Sequence, residues 1–464
     1  MDAAGGGGAG ANVLRRYGRR ADVPAAQDAE IHRIADLLLR LGDQLVAGGA
    51  ATHDVEGSVI AAGSALGVPR TEADVTFNAV TVTLVRADGP PITQVRVVRH
   101  RGANYARLAA VHDLVVDLVE HGISRREAVA KLAEIEEQRP TYPRWVVSIG
   151  WGVLAAAVTQ LLGGGLVIGL VAFGSTILVD QLGRLLRRQG WPDFFLHVVG
   201  AFVATLVAVG LTALDAEVRP SLVVAGGIIV LLSGLGIVAT VQDAITGFFV
   251  TASARFGEVI LLTAGIITGV ALGLQVAQEF DVMLETLPPT TVSVRDLPGR
   301  LVAAALGAAG FAVAYQTPRR LLLPCGVMGA LSFTVWLAVT QQSLQTTAVA
   351  AGVAAVAVGL ASHVVATRMN SPPLVVVVPG IVILLPGLTI YRGMLLLNEG
   401  VTGAGVLALL EAATIGLTLA AGVLLGEIIG QPVDRELSRV ERRFAGPRLV
   451  GPRRLRFRLR RPRV

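Results

Sequence analysis

The sequence predicts an α-helical polytopic membrane protein of about ten transmembrane helices, arranged as two inverted five-helix repeats behind a small cytosolic α+β domain. Three observations carry this expectation. Of the 464 residues, 53% are hydrophobic and 16% charged, against about 25% charged in soluble globular proteins, and the mean hydropathy is +0.64. From Trp145 onward, apolar runs of about 17–22 residues recur between short polar breaks, the length that crosses a bilayer core. A stretch of the first half also matches one of the second at a fixed offset of 153 residues.

Residues 1–27 carry basic residues but no apolar run after them, so they read as a disordered leader rather than a signal peptide. Residues 28–140 have charges in every window, the pattern of a water-exposed domain. Ile31, Ile34, Leu37, Leu38, Leu41 and Leu45 fall at helical spacing within 28–47. A second helix over 54–66 stops at Gly67 before Pro69. The Val- and Thr-rich alternation of 74–86 and 92–99 predicts two strands joined through ADGPP. Helices over 104–121 and 124–137 follow, the latter opened by Ser124 and Glu127 as a capping box, and RPTYPR closes the domain.

Ten spans are expected, at 145–162, 165–182, 194–214, 221–241, 257–277, 300–315, 321–339, 345–365, 373–390 and 402–429. The first repeat occupies 145–277, an extracytoplasmic loop 278–299, and the second repeat 300–429. Arg184, Arg187, Arg188, Arg255, Arg319, Arg320 and Arg368 fall in alternate loops, whereas 278–299 holds Glu279, Asp281, Glu285 and Asp296 against Arg295. The Lys/Arg bias then places both termini in the cytoplasm of a bacterial plasma membrane. Trp145, Trp151 and Trp191 near span ends suit an interfacial aromatic belt.

Twelve Arg against three acids in the terminal stretch from 431 hold a surplus of +9, leaving −3 for the rest of the chain. The basic balance thus belongs to a tail whose expected partner is a bilayer with anionic headgroups, not nucleic acid. Cys325 is the one cysteine, which excludes an intramolecular disulfide and a multi-thiolate metal site. No GxSxG, HExxH, P-loop or GxGxxG is present, and neither a cofactor nor a metal is expected. The polar cluster Thr52, His53, Asp54, Glu56 and Ser58 suits a helix start better than a catalytic site.

In the repeat, GIIVLLSGL at 227–235 aligns on GIVILLPGL at 380–388, Gly247 on Gly400, Glu258 on Glu411, and GVALG at 269–273 on GVLLG at 422–426. Five spans per copy is an odd number, so the second copy is inverted relative to the first, as in secondary transporters that bind substrate where the copies meet. Ionisable groups in such spans are costly and point to function. Glu258 and Glu411 are candidate proton carriers, though Glu258 could instead pair with Arg255 one turn earlier. Asp243 follows one broken span and Asn398 with Glu399 the other, beside SGLG at 233–236, which includes Gly234, and PGL at 386–388. Helix interruptions there would free backbone groups to hold a small zwitterion. His197 and His363 are solitary and expected to be packed histidines, and Asp180 an interfacial charge.

The chain resembles the bacterial threonine/serine exporter family in GGAATHDVEGSVIAAGSALG, GIIVLLSGLGIVATVQDAITG, SARFGE and VVVPGIVILLPGLTIYRG, across about residues 30–430. The resemblance implies ten spans, export of threonine and serine driven by the proton motive force, and a cytoplasmic N-terminal domain. Relatives split into two subunits are associated with dicarboxylate export. Carried over by motif, the implicated positions are Thr52 and Glu56, then Asp243, Gly247, Arg255 and Glu258, then Pro379, Gly380, Pro386, Gly387, Tyr391 and Arg392. Ser233 stands where the family's first copy has Pro, which bears on how sharply the fourth span is broken. In this reading Arg255 or Arg392 attracts the substrate carboxylate, Asp243 or Glu399 the ammonium, and Glu258 or Glu411 carries the coupling proton; the chain is no enzyme, and a homo-oligomer is compatible. A dicarboxylate exporter, a membrane-anchored hydrolase and a sensor acting through the N-terminal domain are the rivals.

Overall fold

The apolar stripe of the first helix closes the core of an N-terminal unit. In the computed structural model, which describes residues 25–85, 90–99, 102, 104–213, 220–231, 234–279, 296–342 and 346–430, Leu37, Leu38 and Leu41 of α1 (Ala25–Ala47) are wholly buried. Residues 1–24 of the leader, the first part of the ADGPP link, Ser233, most of the loop 278–299 and the Arg-rich tail from 431 lie outside these residues, while residues 25–27, expected as leader, are the start of α1. After α2 (Thr52–Ala65) comes an antiparallel sheet of β1 (Thr71–Thr76), β2 (Ala79–Leu84) and β3 (Ile92–Val97), in that order. Val80, Val82 and Leu84 of β2 alternate into the core. The single strand expected over 74–86 is instead a hairpin: Thr76 pairs with Ala79 around a two-residue turn at Phe77 and Asn78, where Asn supplies the turn chemistry. α3 (Tyr105–Val116) runs through a π turn, Asp117–His121, to left-handed Gly122. In α4 (Arg125–Glu137) the Ser124 hydroxyl accepts the Glu127 N–H at 3.3 Å.

By its contacts the chain divides into two units, one of residues 1–50 with 54–139, the other of residues 51–53 with 140–464. The second holds α5 (Arg144–Leu161), α6 (Leu166–Arg188), α7 (Asp193–Ala213), α8 (Pro220–Ile228), α9 (Gly234–Ile245) and α10 (Phe249–Glu279). It continues with α11 (Leu297–Ala314), α12 (Leu322–Thr340), α13 (Thr347–Arg368), α14 (Leu374–Ile381), α15 (Gly387–Asn398) and α16 (Thr402–Gly430). Among the described residues, eight of its helices are long and apolar enough to cross a membrane.

The stretches expected as spans four and nine are each two short helices. α8 and α9 are separated around residue 231, and α14 contains Pro379, passes through a 3-10 turn at Val382–Leu384, and restarts as α15 behind Pro386. Proline removes a donor and clashes with the preceding turn, so continuation is disfavoured. The fifth span begins at Phe249 rather than 257: Thr251 is buried, Ser253 bonds back to the Val250 carbonyl, and Arg255 is paired, so the polar run stays helical.

Equivalent elements recur at the offset seen in the sequence. α5 and α11 begin and end 153 residues apart, as do the starts of α9 and α15 and of α10 and α16. Gly247 (φ 95°) and Gly400 (φ 79°) are left-handed at the same place in each half, and so are Gly163 (φ 85°) and Gln316 (φ 60°). The packing recurs as well, α7 on α10 like α13 on α16, and α6 on α8 like α12 on α14.

The halves meet along α5 and α11. Gly150 lies against Gly310 and Ala314, Leu154 against Gly307, and Arg300 Nη1 donates to the Leu161 carbonyl at 3.3 Å. Positions rise on one helix as they fall on the other, so these two equivalents pack antiparallel. Beyond them, Gln316 Oε1 accepts the Tyr142 N–H at 2.8 Å and Gln316 Nε2 donates to the Tyr142 carbonyl at 3.2 Å. A Cβ on Gly150 would come within 2.6 Å of the Gly310 carbonyl oxygen, and one on Gly310 within 2.7 Å of that of Gly150. Gly150→Val and Gly310→Val should each destabilise the membrane unit by about 1–3 kcal/mol through overpacking, read as a lower apparent Tm in detergent, whereas Gly174→Ala, where nothing lies within 4 Å, should leave it within error.

Candidate functional site

The two helix breaks open onto one cavity. It measures about 280 Å³ and takes Ile229, Val230, Leu231 and Gly236 from the first break, and Val382, Leu385, Gly387 and Ile390 from the second. Trp151 and Leu154 of α5, His197 of α7, Glu258, Val259 and Leu262 of α10, and Phe311 with Tyr315 at the end of α11 complete the wall. Ile229 and Val382 are equivalents, so the cavity sits where the same part of each half converges. A second hollow, lined from Val198 to Glu279, draws on α7 and α10 alone.

The local chain path explains which polar groups reach the cavity. Gly387 is the first residue of α15 and Gly236 lies in the first turn of α9. The first turn of a helix has amide N–H groups without intrahelical partners and the positive end of the dipole, and Pro386 makes no side-chain capping hydrogen bond. Trp151 meets Phe311 edge-on at 5.8 Å and Tyr315 at 5.6 Å, and Phe311 stacks on Tyr315 at 4.2 Å. His197 Nδ1 is 2.7 Å from the Asp193 carbonyl; a carbonyl only accepts, so Nδ1 carries the hydrogen and Nε2 is the ring nitrogen left for another partner.

Of the residues singled out in the sequence, Glu258 and Gly387 line the cavity, with Gly234 and Pro386 at the adjoining helix ends. Asp243 and Arg255, expected to hold opposite ends of a substrate, hold each other. Asp243 Oδ2 lies 2.8 Å from Arg255 Nε, the N–H is not aligned for a hydrogen bond, and the contact is one of charge. Asp243 is 1% exposed, and its Oδ1 accepts the Thr52 N–H at 3.4 Å within the same unit. Gly380 packs on Met328 and Val358. Arg392, Glu399 and Glu411 are exposed and outside the cavity wall, and the side chain of Tyr391 lies outside the described residues.

Other expectations change too. Trp151 belongs to the cavity rather than an interfacial belt, because it lies a full two turns inside α5 where that helix meets α11. His197 is a cavity residue rather than a packed one, whereas His363 is buried. Asp180 pairs with Arg184 at 2.9 Å. Phe311 and Tyr315 were not distinguished from core; their i, i+4 spacing places both on one helix face and was the available signal. Glu56 lies on α2, and in the N-terminal unit burial pushes the His112 imidazole down while the charge of Asp54 acts the other way. Among the described residues no group of three or more His, Cys, Asp or Glu could hold a metal.

Half-helices meeting at a cavity inside a bundle of apolar helices are an arrangement used by membrane transporters to bind substrate, and the apolar helices make this a polytopic membrane protein. Comparison narrows the class. A family model described as a threonine/serine exporter matches residues 36–277, and a second, "Threonine/Serine exporter, ThrE", matches residues 300–429. The chain belongs to the threonine/serine exporter family, which is one of transporters and not of enzymes. It is 33% identical to the "Probable threonine/serine exporter" of Mycobacterium tuberculosis over 94% of this chain and 85% of that one. It is 34% identical to the "Threonine/serine exporter" of Corynebacterium glutamicum over 89% and 86%. The "Probable succinate transporter subunit YjjP" of Escherichia coli is 26% identical over 54% of this chain and 97% of its own length. No solved structure matches.

At the positions equivalent to Asp243 and Arg255 the second half has Leu396 and Ala408. Removing one member of a buried pair strands the other, at a cost of about 3–5 kcal/mol. Asp243→Asn should therefore lower the apparent Tm markedly, and the double change Asp243→Leu with Arg255→Ala should recover most of that loss in the same thermal assay.

Proposed function

We propose that this protein exports threonine and serine from the bacterial cytoplasm, driven by the proton motive force, with the substrate held in the cavity between the two helix breaks. One observation carries the reading: the N-terminal turns of both half-helices, α9 and α15, reach the same small cavity as Glu258. Helix N-termini favour carboxylates, and half-helix N-termini aimed at a substrate carboxylate are a recurring device of secondary transporters. At about 280 Å³ the cavity is just below the range of about 300–1,000 Å³ typical of ligand pockets, which suits a small amino acid. The names borne by the mycobacterial and corynebacterial relatives support the substrate.

The antiparallel packing of α5 on α11, with equivalent elements following each, supports two inverted five-span repeats. Ten crossings result when α8–α9 and α14–α15 each count as one discontinuous span. The α+β unit is then cytosolic, both termini are cytoplasmic, and the Arg-rich tail lies against anionic headgroups of the plasma membrane. The carboxylate of the substrate sits at the first turns of α9 and α15, rather than on Arg255 or on the Gly387 N–H, which donates to the Leu385 carbonyl at 2.7 Å, and Glu258 carries the coupling proton. Glu258 lies about 14 Å along a helix about 46 Å long, deep enough to fall within a hydrocarbon core about 30 Å thick.

Counterflow in proteoliposomes tests the assignment. Radiolabelled threonine should exchange against internal threonine and serine, and Gly387→Val should cut that exchange about tenfold, equal to about 1.4 kcal/mol. Faster exchange of succinate than of threonine would transfer the assignment to a dicarboxylate exporter on the same scaffold.

A further inference from the structure

Resting on the exporter reading, we propose that Glu258 is a single carboxylate with two alternating occupants, the ammonium group of the amino acid and the coupling proton, so that each displaces the other. A zwitterion leaving water brings an ammonium whose charge needs an anionic partner in a cavity of low polarity. Among the described residues the cavity wall contains one carboxylate, Glu258. Asp243, the buried acid nearest in sequence, lies outside that wall and faces Arg255 at 2.8 Å. Glu411, at the equivalent place in the second half, lies outside the wall; both side chains are exposed, and only Glu258 lines the cavity.

The groups around Glu258 suit this role. From α7 comes His197, whose Nδ1–H is engaged by the Asp193 carbonyl and whose ring brings no negative charge. From α5 and α11 come Trp151 and Tyr315, whose ring faces attract cations. On its own helix, Arg255 is one turn away and neutralised by Asp243 of α9. The remaining wall is Phe311, two glycines and aliphatic side chains, so exchange at the carboxylate decides whether the cavity is charged.

The cycle balances without another reactant. On the cytoplasmic side the ionised carboxylate takes the ammonium of the zwitterion. On the outer side a proton binds the carboxylate and the zwitterion leaves. The protonated site returns and releases its proton inward. One proton enters for each amino acid exported, and one positive charge moves inward, so both the pH gradient and the membrane potential drive export.

Binding of tritiated threonine to the purified full-length chain, between about pH 5.5 and 8.5, tests the proposal. Affinity should be level at high pH and fall about tenfold per pH unit once the carboxylate protonates. Glu258→Asp should keep a pH dependence with a displaced midpoint. Glu258→Gln should bind at least about tenfold more weakly at high pH and show no pH dependence. The competitor 2,3-dihydroxybutyrate, which lacks the ammonium, should not lose affinity on acidification. A wild-type profile in Glu258→Gln, or one that flattens only in His197→Gln or Glu411→Gln, overturns the shared carboxylate and leaves the exporter reading intact. Absence of threonine and serine binding by the wild-type chain at every pH overturns the exporter reading itself, and this proposal with it.

Discussion

The membrane unit depends on one close approach, the backbone contact of α5 with α11 at Gly150 and Gly310. Side chains at either position would hold the helices apart, and glycine lets the two axes approach as small residues do in membrane helix pairs generally. Because the helices are equivalents running in opposite directions, everything that follows each of them is carried to the partner's far side. The two breaks then converge on one cavity instead of lying apart. Interrupted backbone is tolerated at membrane depth only where it lines a cavity or is buried in protein, so the breaks and the cavity each account for the other.

The halves are copies in outline but not in chemistry. Asp243 and Arg255 tie α9 to α10, while Leu396 and Ala408 stand at the corresponding places of α15 and α16. Glu258 reaches the cavity and Glu411 does not, although both occupy the same register. The two halves share a frame, while the Asp243–Arg255 pair and the carboxylate at the cavity, Glu258, belong to the first. A carrier that works in one direction has use for such inequality, since the two faces of a membrane present different pH and potential.

Much of the frame is legible in the sequence, because lipid imposes a length and a composition on each span and register makes the duplication visible. The helix breaks are legible for the same reason: Pro379, Pro386 and the adjacent glycines conflict with continuous helix. The cavity wall is less so. Trp151, Phe311 and Tyr315 are residue types that also build cores, and only their convergence across two helices 160 residues apart separates the two cases. The pairing of Asp243 with Arg255 is hidden likewise, since two opposite charges near one helix end can face a ligand or each other and hydropathy does not tell which. In the N-terminal unit, the turn at Phe77 and Asn78 lacks the glycine that marks most two-residue hairpins, so alternation runs through it unbroken.

Gln316 shows how much specification one surface-proximal side chain can contain. It stands in a left-handed conformation that its counterpart Gly163 adopts without steric cost, and its amide bonds to both the N–H and the C=O of Tyr142. A primary amide offers donor and acceptor side by side on one planar group; ionised glutamate would supply two acceptors, and methionine of similar length neither function. The residue thus acts as a one-amide strand, reading the peptide that enters the first span and fastening it to the hinge between α11 and α12. A glycine there would relieve the backbone but erase the fastening, so the two demands on this position can be met together only by the side chain it has.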